Sequence, residues 1–133
     1  MVWQWLLGRA GLPKDPADLG RWGEDQARQF LQGKGFTTIA RNWRFGKGEL
    51  DLVMADGRAI VFVEVKSRAD EDFAPAKISI TTKKKKTLLR TAKCFLRKYN
   101  ISDRPLRFDV VTVVRDDADK PQIKHYRNAF VPK

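Results

Sequence analysis

The sequence ELDLVMADGRAIVFVEVK, residues 49–66, predicts two adjacent β-strands and thereby decides the fold. Residues 49–54 alternate between polar and apolar side chains as a half-buried strand does, and residues 60–66 are rich in the β-branched residues that strands favour. The dipeptide Asp56-Gly57 between them is a strong signal for a tight turn. We therefore expect a β-hairpin whose second strand is central in a sheet.

Acidic side chains interrupt this hairpin, where burying an unpaired carboxylate costs free energy. Alternate residues of a strand share a face, so Glu49 lies on the same face as Asp51, and Glu64 on the same face as Lys66. A two-residue loop between the strands would place Asp51 diagonal to Glu64, and a four-residue loop would place it directly opposite. Either register brings the carboxylates and the lysine to one side of the hairpin, where a divalent cation can bridge Asp51 and Glu64.

The chain as a whole is strongly basic. Among its 133 residues, 27 are Lys or Arg and 16 are Asp or Glu, which gives a net charge of +11. Such a surface favours acidic partners, with nucleic acid the first candidate and an anionic membrane surface the second. A divalent cation held by Asp51 and Glu64 can activate water, and Lys66 can offset the charge that develops on a phosphate during hydrolysis. The cluster and the net charge together suggest a phosphodiester hydrolase.

The scarcity of cysteine and histidine excludes several other kinds of site. Cys94 is the only cysteine and His125 the only histidine, which excludes a disulfide framework, a zinc-finger cluster and a site with two imidazoles. A metal would be held mainly by carboxylates, which favours Mg²⁺ or Mn²⁺. No apolar run approaches the roughly 18 residues of a membrane span, and no basic region precedes the short apolar patch at the N-terminus. We therefore expect a cytoplasmic protein without a membrane partner.

The flanking segments add two helices and three strands to the hairpin. The spacing of apolar residues predicts a helix over residues 18–32, with Asp18 as its N-cap, and another over residues 83–99. Further strands are expected at residues 36–44 (irregular), 106–114 and 123–130, with loops at 71–80 and 116–121. This order predicts an α/β fold with a mixed sheet flanked by helices.

The chain divides into a short first segment and one domain. Residues 18–133 contain all the predicted regular elements and form a single domain. Residues 1–17 carry several glycines and prolines that break regular structure. They are either a partly ordered tail or an element that docks through Trp3 and Trp5 on the domain, on a partner or on a second copy.

Five short motifs resemble the YraN-like family of predicted bacterial endonucleases. They are Gly23-Glu24-Asp25-Gln26-Ala27, Arg41-Asn42-Trp43-Arg44, Gly48-Glu49-Leu50-Asp51-Leu52, Phe62-Val63-Glu64-Val65-Lys66-Ser67-Arg68 and Arg107-Phe108-Asp109-Val110-Val111. The run Asp51…Glu64-Val65-Lys66 also resembles the PD-(D/E)XK nuclease signature, and the family is similar to archaeal Holliday junction resolvases. The motifs occur in order over residues 20–130, so the resemblance covers nearly all of the chain beyond its first segment.

The resemblance implies a restriction-endonuclease-like core and a Mg²⁺- or Mn²⁺-dependent nuclease acting on DNA, and branched DNA is the substrate of the resolvases it is similar to. At the matching positions it implies that Asp51 and Glu64 are metal ligands, Lys66 is the catalytic lysine and Glu24 is an additional catalytic acid. Glu24 would lie about 20° from Leu31 around the helix axis, at the edge of the apolar face, and could point toward the sheet. Because a resolvase makes two symmetric cuts, we expect such an enzyme to act as a homodimer.

Basic side chains near these motifs are candidates for contacts with nucleic acid. The run Lys83, Lys84, Lys85 and Lys86 begins the second predicted helix, where each cation opposes the helix dipole at a cost of roughly 0.3–1 kcal/mol. A bound phosphate backbone would reverse that cost, whereas a solvated helix face is the plainer alternative. Further candidates are Arg41, Arg44, Lys47 and Arg68.

A structural salt bridge on a sheet face is the alternative for Asp51, Glu64 and Lys66, and Glu24 would then cap or pair on its helix surface. On that interpretation the chain is a non-catalytic nucleic-acid-binding module that keeps the nuclease fold and the basic surface. A basic protein that binds ribosomes or RNA is a third hypothesis, and it predicts a preference for structured RNA over DNA junctions.

Other polar residues have less specific roles. Glu49 either acts at the site or pairs with Arg44 or Lys47. Asp109 interrupts a strand that is otherwise apolar, and we expect it to pair with a basic residue. We expect His125 on the surface of a strand rather than as a general base.

Overall fold

A computed structural model describes residues 16–68, 80–115 and 120–130. These residues form α1 (Pro16–Gly33), β1 (Thr37–Phe45), β2 (Gly48–Asp56), β3 (Ala59–Arg68), α2 (Thr82–Lys98), β4 (Leu106–Arg115) and β5 (Pro121–Tyr126). The strands form one sheet in the order β1-β2-β3-β4-β5. β3 and β4 are parallel, and the other neighbours are antiparallel. The expected α/β fold, a mixed sheet flanked by helices, is confirmed at this level.

One helix packs on each face of the sheet. Ala27 and Leu31 of α1 are fully buried against one face, and Leu88, Ala92 and Phe95 of α2 are buried against the other. These residues recur at intervals of three and four, as one face of a helix requires. The two faces therefore have separate apolar cores.

β3 is the central strand, as its apolar run predicts. Val61 and Val63 belong to the core beneath α1, and Ile60 and Phe62 belong to the core beneath α2. A strand covered on both faces has no need of polar alternation. Glu64 is the first charged side chain along β3, at the point where the two cores end.

The turn between β2 and β3 is Gly57-Arg58, one position later than the expected Asp56-Gly57. Gly57 has φ +60°, in the left-handed region that glycine adopts without steric cost. Pairing along the hairpin ends at Leu52 opposite Val63. The register is the one that would bring Asp51 opposite Glu64 if pairing continued.

The helices differ from expectation mainly at their starts. α1 begins at Pro16, so Asp18 lies in the first turn rather than at the N-cap, where its carboxylate pairs with Arg21. α2 begins at Thr82, and the side chain of the N-cap Thr81 accepts a hydrogen bond from the Lys84 amide at 3.1 Å. Neither helix in the described part of the chain is long and apolar enough to cross a membrane.

The last strand is shorter than predicted. β5 ends at Tyr126 rather than at residue 130. Asn128 has φ +51°, which turns the chain out of the extended conformation. Phe130 thereby reaches the core beneath α2, where its ring packs on Phe108 with centroids 4.8 Å apart.

Some expectations fall on residues that the structure does not describe, namely 1–15, 69–79, 116–119 and 131–133. The separate role of residues 1–17 therefore stays a prediction. So do most of the loop at 71–80 and most of the turn at 116–121.

Candidate functional site

β2 and β3 separate at Asp51, and the Asp51 side chain takes the place of a backbone partner. Asp51 Oδ2 accepts a hydrogen bond from the Val65 amide at 2.9 Å. Leu50 and Leu52 would share a face in a regular strand, yet they belong to the cores on opposite faces of the sheet. This irregularity holds a carboxylate between the ends of two strands.

A cavity of about 350 Å³ opens beside Asp51, between α1 and the end of β3. Its walls include Glu24 of α1 and Lys66 of β3, together with Arg68, which was predicted to contact nucleic acid. Three of the four predicted catalytic side chains thus face one open space, although they come from three different elements.

Gly23 allows α1 to approach β3 closely enough to place Glu24 there. A Cβ atom at position 23 would lie 1.7 Å from the Ser67 hydroxyl oxygen and 2.8 Å from its Cβ. No larger residue fits without moving the helix or the strand. The neighbouring Glu24 is therefore positioned by backbone packing rather than by its own contacts alone.

Glu64, the fourth predicted catalytic residue, lies on the other side of Asp51. Its side chain is 15% exposed, and its Oε1 is 3.6 Å from Lys84 Nζ at the start of α2. Glu64 and Asp51 both line a small space of about 10 Å³ above the apolar core that contains Leu88 and Phe108. Asp51 therefore borders two spaces: the cavity that Glu24 and Lys66 line, and the small space that it shares with Glu64.

Burial and mutual repulsion raise the pKa values of these carboxyl groups. Burial raises the pKa of Glu24 to about 7, with a further contribution from Asp51 and an opposing hydrogen bond from Asn42. Burial likewise raises the pKa of Glu64 to about 7, with Asp51 adding to the effect and Lys84 opposing it. Burial also raises the pKa of Asp51, against its main-chain hydrogen bond. A bound cation would relieve this repulsion.

The ammonium group of Lys66 is also perturbed. Burial lowers its pKa, Arg68 lowers it further, and Glu64 opposes the shift. Raised carboxyl pKa values and a lowered ammonium pKa in one place are typical of functional sites.

The described residues contain no group of three His, Cys, Asp or Glu side chains arranged to hold a metal ion. Asp51 and Glu64 can offer two carboxylates from adjacent strands. A hard cation accepts such a pair when main-chain carbonyls, water or a phosphate complete its coordination. Two carboxylates as the only protein side-chain donors suit a hard cation such as Mg²⁺ or Mn²⁺ better than zinc, whose sites usually include His or Cys.

Two of the arginines that were predicted to contact nucleic acid form exposed ion pairs with acids of the same chain. Arg41 pairs with Asp25 of α1. Arg44 Nε is 3.6 Å from Glu49 Oε2, so the expected pairing of Glu49 is with Arg44. One pair joins β1 to α1 and the other joins β1 to β2, so neither arginine is an isolated positive charge.

The lysine run divides at the start of α2. Lys84 pairs with Glu64, and Lys85 lies over the Phe130 ring at 5.7 Å. Lys83 and Lys86 line a separate cavity together with Lys47. The run therefore presents cations in several directions rather than one continuous face.

Asn42 is a residue near the site to which sequence reasoning gave no role. Its φ of +48° is in the left-handed region, which asparagine tolerates better than most residues. The Asn42 side chain hydrogen-bonds Glu24 and opposes the rise in the Glu24 pKa. The only feature of the sequence that could have pointed to Asn42 is its position between Arg41 and Arg44 in one of the five motifs.

Asp109 and His125 form a separate buried pair. Asp109 is fully buried and accepts hydrogen bonds from Arg107 Nε at 2.9 Å and from the Asn128 amide at 3.1 Å. His125 Nε2 is 2.7 Å from Asp109 Oδ2. The expected basic partner of Asp109 is confirmed, whereas the surface placement of His125 was wrong. Its side chain is only 2% exposed because the Phe36 ring packs edge-on against it.

Comparison with known proteins gives one consistent family. The uncharacterised protein family UPF0102 matches residues 23–113, a range that contains Glu24, Asp51, Glu64 and Lys66. UPF0102 proteins of Geotalea uraniireducens and Solibacter usitatus are 39% and 38% identical to this chain over 116 and 117 residues. These matches cover 87% and 86% of the chain, and 91% and 87% of the respective relatives. A UPF0102 protein of Herminiimonas arsenicoxydans is 44% identical over 112 residues, 84% of this chain and 86% of the relative. The expected YraN-like family is confirmed in this sense, and the chain belongs to the uncharacterised protein family UPF0102.

Proposed function

We propose that this protein is a metal-dependent endonuclease that hydrolyses DNA phosphodiester bonds, with the restriction-endonuclease-like core of the PD-(D/E)XK superfamily. The observation that carries the proposal is the convergence of Glu24 and Lys66 on Asp51, with Glu64 on the adjacent strand. These side chains come from separated parts of the sequence and meet where two central strands separate.

A structural salt bridge explains this cluster less well. A carboxylate that is satisfied by cations has a lowered pKa. Asp109 has this property, because hydrogen bonds from His125 and Arg107 outweigh the effect of burial on its pKa. The pKa values of Asp51 and Glu64 are instead raised. Their negative charges are incompletely compensated, as expected of a site that waits for a cation.

Each residue has a distinct part in the proposed reaction. Asp51 and Glu64 would hold Mg²⁺ or Mn²⁺. When bound, such an ion lowers the pKa of water and polarises the scissile phosphate. Lys66 would orient the attacking water and offset negative charge in the transition state. Glu24, with a pKa of about 7, can accept and return a proton near neutral pH.

Branched DNA is the first substrate to test, since the motifs resemble a family that is similar to junction resolvases. Two symmetric cuts require two copies of the site, so we expect a homodimer on the junction. The net charge of +11 supports binding to a polyanion of either linear or branched shape.

Cleavage of a four-way junction and of a linear duplex, each with Mg²⁺, Mn²⁺ or EDTA, tests the proposal. We expect metal-dependent cleavage that is lost in Asp51→Asn and Lys66→Ala and kept in Asp18→Asn, a matched change of an exposed acid on α1. Salt-sensitive binding without cleavage, unchanged by these substitutions, would identify a non-catalytic nucleic-acid-binding module instead. A preference for structured RNA over the junction would favour an RNA-binding protein.

A further inference from the structure

A second, larger cavity lies on the α2 side of the turn between β1 and β2, and the proposed reaction does not use it. Its volume is about 690 Å³. Lys47 in the turn, Lys83, Lys86 and Arg90 on α2, and Phe45 at the end of β1 line it. We call this cavity the basic groove.

Backbone geometry fixes the shape of the basic groove. The β1–β2 turn is Gly46-Lys47, and Gly46 has φ +58°. A Cβ atom at Gly48 would lie 1.9 Å from the Thr91 hydroxyl oxygen and 3.0 Å from its Cβ. The floor of the groove is therefore a close contact between β2 and α2, and a larger residue at position 48 would force them apart.

Among the described residues, no carboxylate neutralises the four cations of the groove. Lys47, Lys83, Lys86 and Arg90 form no ion pair with a described carboxylate, whereas Lys84, in the same run, pairs with Glu64. Lys83 lies in the first turn of α2, where it opposes the helix dipole, and four like charges around one groove repel one another, so a bound anion would stabilise them. A row of four suits a repeating anion such as a phosphate backbone better than a single one.

Phe45 adds an exposed aromatic surface to this row of charge. It is 59% exposed, the most exposed of the large apolar residues that the structure describes. Its ring is stacked on Trp43, with centroids 6.1 Å apart and planes within 7° of parallel. Trp43 is itself held by Phe95, edge-on at 5.2 Å, and its indole N–H donates to the Tyr99 hydroxyl at 3.2 Å. Phe45 is thus a ring held in place from one side and open to solvent.

We propose that the basic groove binds a single-stranded segment of DNA, with its phosphates on Lys47, Lys83, Lys86 and Arg90 and one unpaired base stacked on Phe45. Proteins hold single strands without reading their sequence through two features, a row of cations along a groove and an aromatic ring on which a base stacks. A base within a duplex is already covered on both faces and cannot use the platform.

The inference rests on the proposed function, because it names the form of DNA that the same protein would take. The groove and the candidate site meet at the start of α2, where Lys84 contacts Glu64 while its neighbours Lys83 and Lys86 line the groove. A strand lying in the groove would therefore contact the same turn of α2 whose Lys84 contacts Glu64. Substrates with an unpaired segment beside the cleaved bond are favoured over a continuous duplex.

Fluorescence anisotropy in EDTA tests the inference without cleavage. The probes are a labelled oligothymidine, a strand of equal length with abasic sites at every position, and a blunt hairpin duplex. We expect wild-type protein to bind oligothymidine about tenfold more tightly than the abasic strand. Phe45→Ala should remove this preference, whereas Phe45→Trp and the matched control Leu106→Ala, which truncates another exposed apolar residue outside the groove, should keep it. An unchanged preference in Phe45→Ala, or none in wild type, would overturn the stacking role.

The charged part of the groove has its own measurement. Lys86→Ala and Arg90→Ala should weaken binding of both strands and should each lower the slope of log affinity against log salt by about 0.7. An unchanged slope would show that Lys86 and Arg90 do not contact phosphates. Asp51→Asn separates this inference from the proposed nuclease, because it should abolish cleavage and leave the base preference intact. Absence of cleavage with a normal base preference would reject the nuclease alone.

Discussion

Asp51 Oδ2 accepts a hydrogen bond from the Val65 amide at 2.9 Å, just beyond Leu52 and Val63, the last backbone pair between their strands. One carboxylate therefore closes the end of the hairpin and also stands among the candidate catalytic groups. The two roles make different demands on the side chain. An acceptor of any charge satisfies the amide, but only a carboxylate binds a cation strongly.

Substitutions of Asp51 separate these two roles. Asp51→Ala leaves the Val65 amide without an acceptor, and we expect it to lower the free energy of unfolding by about 1–3 kcal/mol. Asp51→Asn keeps an acceptor oxygen and removes repulsion with Glu64 and Glu24, so it should be at least as stable as wild type in EDTA. Urea denaturation measures both. Equal destabilisation by the two variants would show that the hydrogen bond does not hold the strand end.

Packing of α1 on β3 depends on the pair Gly23 and Ser67. A Cβ atom at position 23 would meet both Oγ and Cβ of Ser67, so Gly23→Ala should destabilise the protein by about 1–3 kcal/mol. Ser67→Gly in the same chain should restore part of that loss. Gly20→Ala is the matched control, since nothing lies within 4 Å of its added Cβ. It should stabilise α1 slightly through helix propensity. Thermal unfolding of the variants decides the matter, and a Gly23→Ala protein as stable as Gly20→Ala would contradict the packing argument.

Asp109 makes stability depend on pH in the acid range. Burial raises its pKa, but hydrogen bonds from His125, Arg107 and the Asn128 amide outweigh burial, so the folded-state pKa lies below the ordinary value. The folded state then binds fewer protons than the unfolded state. The stabilising contribution is therefore complete above about pH 4 and is lost as the pH falls through the folded-state pKa.

Urea denaturation at several pH values below about pH 5 checks this dependence. Asp109→Asn should lower the free energy of unfolding at neutral pH by about 1–3 kcal/mol, because it removes the buried charge that Arg107 and His125 contact, while Arg107 keeps Asp56 at 3.0 Å. It should also flatten the pH dependence in the acid range. Asp18→Asn, an exposed acid, should leave the dependence close to wild type. If Asp109→Asn kept the wild-type slope, another carboxyl group would be responsible.

Neighbouring lysines of α2 should behave differently in the cleavage reaction. Lys84 is 3.6 Å from Glu64 and repels a cation at that carboxylate, so Lys84→Ala should lower the Mg²⁺ concentration for half-maximal cleavage. Lys83→Ala should weaken DNA binding and leave that concentration unchanged, because Lys83 lines the basic groove instead. Initial rates measured across Mg²⁺ and DNA concentrations distinguish the two effects. Identical behaviour of both variants would contradict the division of the lysine run.

The sequence predicted the elements of the fold well because their patterns are local. The apolar run of β3 and the spacing of Ala27 and Leu31 depend only on which faces become buried. The end of β5 was missed because Asn128 leaves the extended conformation, and no period in the sequence signals that step. The burial of His125 was missed for a related reason, since it depends on Phe36 from a distant part of the chain.

The candidate site was predictable in composition but not in arrangement. Glu64 and Lys66 stand out because they end an apolar strand. The separation of the strands at Asp51 cannot be seen in a pattern of period two, which assumes that alternation continues. The pairing of Lys84 with Glu64 was likewise hidden, because a run of lysines looks alike at every position until the helix gives each one a direction.

Anomalous scattering from a crystal of the protein soaked in Mn²⁺ tests the central claim most directly. We expect one strong peak within coordination distance of the Asp51 and Glu64 carboxylates, with the Lys66 ammonium group nearby, and no peak at that place in a crystal of Asp51→Asn. A wild-type crystal with no peak there, or with the two carboxylates turned to different sides of the sheet, would contradict the account.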